Sequence, residues 1–228
     1  MLLKIVVFTS GAVVMSVEML AARQLAVQFG NTLQVWGALI GSFIGALSLG
    51  YWLGGIAADR WPTRLGIGAI LSVAGLLIIA LVPLAGPAGR LIYQFRGGAP
   101  LVSGGWLKPL ISSSLVYGAP IVLLGMVSPY AVRLAARDLS RLGHKVGGLY
   151  ALASLGSIFG TFLTSFYLIL VAPISHIIMV EGLLLMGLAV PVYLAGFFFE
   201  QESRSGPAEA SPWVPRPDGG NSDLSLRQ

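Results

Sequence analysis

Between residues 4 and 198 the chain passes six times through a long, mostly apolar stretch, and that succession leaves few folds open. A hydrocarbon core about 30 Å thick is crossed by roughly 20 helical residues, so each stretch is long enough to span a bilayer. A helix satisfies its own backbone N–H and C=O groups, which any lipid-exposed segment requires. The predicted spans are about 4–27, 33–57, 65–87, 108–134, 147–171 and 174–198. Together they make an all-α fold, a polytopic membrane bundle of six transmembrane helices over residues 1–199. Only 10% of the residues are charged, against about 25% in an ordinary soluble domain.

The net charge of +5 does not point to nucleic acid, because the basic residues fall between spans, where lysine and arginine set orientation. With the N-terminus cytoplasmic, Lys4, Arg60, Arg64, Arg133, Arg137, Arg141 and Lys145 lie inside, against Arg23, Arg90, Arg96 and Lys108 outside. That asymmetry predicts an integral protein of the plasma (inner) membrane with both termini cytoplasmic. The first apolar run continues past Glu18 without an A-x-A cleavage site and reads as a retained helix, not a signal peptide. Residues 200–228 turn abruptly polar and rich in Pro, Gly and Ser, and are expected to form a disordered cytoplasmic tail. The absence of cysteine excludes disulfides, thiolate metal sites and thiol catalysis. His144 and His176 fall on opposite membrane faces, so no metal site is predicted, nor any cofactor.

Small residues mark where helices should meet. Gly37, Gly41 and Gly45 recur every four residues, and Gly50 and Gly54 repeat the spacing, so one face of the second span is expected to admit a neighbouring backbone. Gly41-Ser42-Phe43-Ile44-Gly45 is echoed by Gly156-Ser157-Ile158-Phe159-Gly160 in the fifth span. With three spans per half these are equivalent positions in halves that cross the membrane in opposite senses, the 3+3 inverted repeat of transporters.

Two carboxylates lie inside spans, where each costs free energy. At about 1.5 Å per residue, Glu18 and Glu181 come out at a similar height in the outer half. They are expected either to pack, bonded to Arg23 or to hydroxyls, or to bind a cation or proton. Ser113, Ser114, Tyr117, Thr161, Thr164 and Ser165 fall near that depth and suit either arrangement. Pro120 and Pro129 each remove a hydrogen bond from the fourth span and predict kinks. Arg133, Arg137, Arg141 and Lys145 form an orientation signal or a docking loop for anionic lipid or a soluble partner.

The runs TSGAVVMSVEMLAARQLAVQFGNTLQVWG, LGYWLGGIAADR and LLGMVSPYAVRLAARDLSRLGHKVGGLYALASLGSIFGTFL resemble the membrane domain of fused major-facilitator/spermidine-synthase-like proteins, over roughly residues 9–195. Gly50, Gly54, Asp59, Arg60 and Arg64 also resemble the major-facilitator loop motif between helices two and three. The resemblance implies half of a major-facilitator fold, in which that aspartate and those arginines hold helix ends together. It also implies an aminopropyltransferase partner, since the Rossmann-like catalytic half of the family has no counterpart here. No strand leads into a glycine-rich loop with a downstream acidic residue.

Three functions follow as expectations. The first is a non-enzymatic membrane module that moves polyamines or anchors a separate aminopropyltransferase. The second is a half-size carrier of another solute that pairs with a second copy. The third is a structural subunit that holds another membrane subunit through its glycine faces.

Overall fold

The computed structural model describes residues 1–94, 106–135 and 142–205. Among them are six helices long and apolar enough to cross a membrane, and the chain is an integral membrane protein built as an all-helical bundle. They are α1 (Leu2–Phe29), α2 (Leu33–Arg60), α3 (Arg64–Gln94), α4 (Leu107–Ala135), α5 and α6 (Ile174–Ser205). α5 runs over Leu142–Leu163, continues through a π-helical turn at Thr164–Leu168, and ends with Ile169–Val171. The apolar, membrane-length parts of these helices fall within four residues of the spans expected from sequence. α6 continues to Ser205, beyond the expected start of the tail at residue 200. Residues 206–228, where the rest of the disordered tail was expected, lie outside the described residues, as do Arg137 and Arg141.

Local chemistry sets the helix ends. Gly30 adopts φ 84° and closes α1, donating its N–H to Ala26 O. Such a left-handed residue is a position glycine takes without a Cβ penalty. Thr32 caps α2 by accepting the Val35 N–H, and Thr63 does the same for Gly66 at the head of α3. At the other end of α2 the Trp61 carbonyl accepts from the buried Tyr130 hydroxyl of α4. Pro120 and Pro129 sit inside one continuous helix.

Exposed Trp36 and Trp61 bracket α2, 25 residues apart. That is about 38 Å along a helix, close to the distance between the two interfaces of a bilayer. Between them Ile40, Ile44, Trp52 and Ile56 are exposed, and α5 likewise exposes Leu155, Ile158, Phe162 and Phe166. Half of the α1 span is buried but only 17% of the α5 span, so α1 is central and α5 peripheral.

Glycine-lined contacts join the helices in pairs. α1 lies along α5, where a Cβ on Gly156 or Gly160 would overlap the carbonyl oxygens of Phe8 and Ala12. α2 lies along α4, where a Cβ on Gly54 would come within 2.6 Å of Met126 Cα and one on Gly50 would overlap Val122 O. α3 lies along α6, with the site of a Gly75 Cβ 2.6 Å from Gly182 O. Exchanging the first three helices for the last three turns the α1–α5 pair into α4–α2 and leaves α3–α6 unchanged. This is the pairing that two related halves produce.

The structure corrects which glycines take part. A Cβ on Gly37, Gly41 or Gly45 would have open space within 4 Å, so these three do not pack inside the protomer. The α2 residues that do the work of Gly156 and Gly160 are Gly50 and Gly54, which also lie at a more similar distance from the start of their helix. The five-residue echo at Gly41 to Gly45 is therefore out of register with the contact it was expected to repeat. The exchange of halves is also incomplete, since α3 packs along α4 far more closely than its counterpart α6 packs along α1.

Candidate functional site

The thin α1–α6 contact leaves a cavity of about 290 Å³ between α1, α5 and α6. Its walls are apolar: Phe8, Ala12 and Val13 from α1, Phe159 and Leu163 from α5, and Leu184 from α6. The Phe8 and Phe159 rings meet at 5.7 Å, tilted by 40°. Four polar side chains line the same cavity: half-buried Thr9, and Ser16, Thr164 and Glu181, which are buried and come each from a different helix.

The positions follow from helical spacing. Phe8, Ala12 and Ser16 form a ladder of fours on α1, and Gly156, Gly160 and Thr164 form one on α5, so the two ladders run side by side. Close approach at the two glycines brings the hydroxyls of Ser16 and Thr164 into hydrogen-bond contact. Ser16 Oγ also contacts Glu181 Oε1, donating to it. The π-helical turn begins at Thr164, with the Ile169 N–H reaching back to Thr164 O. Such turns inside α-helices frequently accompany functional sites.

Glu181 is 8% exposed, and its second oxygen, Oε2, is buried without a hydrogen-bond partner. A buried carboxyl oxygen left without a donor is costly, more so in a membrane span, and calls for a physical reason.

Glu18 does not join this site. It is buried at 9% exposure, but it lies two residues beyond Ser16 and so about 200° around α1 from the side that faces Glu181. Arg23 is exposed. The expected trio of Glu18, Glu181 and Arg23 is thus dispersed, and the partners of Glu181 are hydroxyls. Of the polar residues expected near that depth, Thr164 reaches the site. Ser113 and Thr161 instead bond back to their own helices, at Leu110 O and Ser157 O, and Tyr117 donates to Gln24. Ser16 was missed by sequence reasoning. Extending the Gly156-Gly160 ladder by four residues, and the facing α1 ladder likewise, would have found both hydroxyls.

At the opposite end of the molecule, Arg133 Nε of α4 donates to Asp59 Oδ1 of α2 at 2.9 Å. The aspartate of the expected loop motif therefore ties helix ends together, but through an arginine first assigned to the docking loop. Arg60 is exposed and Arg64 heads α3. The pair is half to three-quarters exposed, so it aligns α2 with α4 and adds little stability. Lys145 lies in α5 and lines a second cavity, about 360 Å³, with Lys4 and His144. Among the described residues no group of three or more His, Asp or Glu could hold a metal ion.

No family model, curated protein or solved structure matches the chain.

Proposed function

We propose that this protein is a carrier module, not itself an enzyme, that takes up a proton or a single positive charge at Glu181 from within the membrane. The observation that carries the reading is the unpartnered Oε2 of Glu181, buried at the wall of a cavity. A purely structural carboxyl would be expected to have both oxygens bonded, whereas a working site leaves one for its ligand. The polyamine expectation is weaker on this geometry. A polyamine needs several anchors, and Glu18 lies on the other side of α1. A docked aminopropyltransferase would use the cytoplasmic segment from Arg133 to Lys145, of which Arg133 is already engaged by Asp59. Basic residues at one end of the bundle support cytoplasmic termini in the plasma (inner) membrane.

In proteoliposomes under imposed proton and sodium gradients, the wild type is expected to carry cation-coupled flux. Glu181→Gln should reduce it to roughly a tenth or less, and Glu18→Gln should retain most of it. Flux unchanged in Glu181→Gln would remove the proposal.

One observation favours a carrier built from two copies. Gly37, Gly41 and Gly45 form an open ridge on the lipid-facing side of α2 that the protomer leaves unused, the kind of surface on which membrane helices associate. Gly41→Leu is expected to lower the cross-linked dimer fraction in membranes about threefold while the protomer stays folded. A dimer fraction equal to wild type would leave the ridge to lipid.

A further inference from the structure

We propose that the α1–α5–α6 cavity receives a singly charged apolar amine directly from the bilayer, with the amine nitrogen on Glu181 Oε2 and the hydrocarbon body along Phe8 and Phe159. This rests on the carrier reading above and names the class of ligand.

The polar floor of the cavity is short of one donor. Ser16 Oγ donates to Glu181 Oε1, and Ser16 and Thr164 bond each other, which leaves Oε2 as an acceptor with nothing to accept. An ammonium N–H supplies the missing donor and the opposite charge in a single group, and a charge-assisted bond is the stronger kind. A neutral alcohol supplies only the donor.

The rest of the lining limits the ligand to one charge. Glu181 is the one carboxylate among the described lining residues, and Thr9, Ser16 and Thr164 are neutral hydroxyls, so a second ammonium would lie without a counter-charge in a largely apolar cavity, at a prohibitive desolvation cost. The paired rings of Phe8 and Phe159 lie about two helical turns along α1 from Ser16 and suit the apolar body of a ligand whose nitrogen is at Glu181. At about 290 Å³ the cavity sits at the small end of ligand sites and has room for roughly one ring and a short chain.

The mouth determines where the ligand comes from. Phe159, Val180 and Leu184 line the cavity yet are 50%, 58% and 48% exposed, and all three lie inside the membrane-spanning parts of α5 and α6. Surfaces exposed there face acyl chains. An amine whose hydrocarbon body is already in the bilayer sheds only the water on its ammonium on entering, whereas a hydrophilic cation would have to be stripped of its whole hydration shell.

The test is calorimetric titration of the full chain in nanodiscs with phenylbutylamine, phenylbutanol and putrescine. Phenylbutylamine should bind the wild type. Glu181→Gln should weaken it at least about tenfold, and so should Val180→Trp, which fills the mouth from an exposed position and leaves the core packing untouched. Phenylbutanol and putrescine should bind at least about tenfold more weakly than phenylbutylamine. Putrescine binding as tightly as the monoamine, or phenylbutylamine binding both variants like wild type, overturns the assignment. Binding as expected without flux in vesicles would overturn the carrier reading and keep the pocket. Flux that depends on Glu181, with phenylbutylamine neither binding nor competing, would overturn the ligand class alone.

Discussion

Replacing Gly160 with alanine should destabilise the protomer by about 3 kcal/mol, the upper end of what overpacking costs. The added methyl would occupy the space of the Ala12 carbonyl oxygen and stand 2.7 Å from Ala12 Cα. Both obstacles are backbone. No side chain can rotate away, so α1 and α5 must separate along their contact, and the Ser16–Thr164 bond one turn further on must lengthen with them. Gly156→Ala makes the same demand against Phe8. Once one substitution has moved the helices apart, the other meets less resistance, and the double variant should cost less than the sum of the two. Gly41→Ala provides the contrast, since a Cβ there meets nothing and gains about 0.5 kcal/mol of helix propensity. Unfolding titrations in bicelles measure all four variants. Equal losses at Gly41 and Gly160 would contradict the helix pairing described above.

This contrast also marks the boundary of what the sequence reveals. The six spans are readable because crossing about 30 Å of hydrocarbon places a demand on every segment taken alone. Which side of each helix turns inward is far less readable. In water an amphipathic stripe shows the buried face, but lipid is as apolar as the core, so Ile40 facing acyl chains and Leu39 facing α2's neighbours carry the same kind of side chain. Five glycines at regular spacing on α2 therefore looked like one interface. They divide into Gly50 and Gly54, which pack on α4, and Gly37, Gly41 and Gly45, which do not pack within the protomer.

The site was legible in part for the same reason. Glu181 stands out because a carboxylate in a span is unusual wherever it points. Its depth gave the wrong companion. Glu18 lies at a similar expected height, but helical phase separates it from Glu181 while placing Ser16 alongside. The hydroxyl that meets Glu181 is 165 residues away in the chain. Asp59 and Arg133 were likewise each noticed alone, and only the α2–α4 pairing joins them. The π-helical turn beginning at Thr164 leaves no local mark in TSFYL by which a sequence reading would identify it.

Glu181→Leu should make the protomer more stable, by about 1–3 kcal/mol, while abolishing the flux assigned to the site. The expectation comes from the two carboxyl oxygens. Oε1 has a single donor, Ser16, and Oε2 has none, so the native state holds a partly satisfied carboxyl among hydrocarbon side chains. Replacing an imperfectly paired buried polar group with an apolar one of similar size is often neutral or stabilising. Leucine would fill the wall beside Val180 and Leu184, and Ser16 would keep Thr164 as its hydrogen-bond partner. A structural carboxyl behaves in the opposite way, because its removal breaks bonds that hold α1, α5 and α6 together. Unfolding and vesicle flux measured on one preparation of Glu181→Leu therefore separate the two roles. Lower stability with flux intact would identify Glu181 as a packing residue. Higher stability with flux lost would mean that the fold tolerates this carboxyl for what it binds.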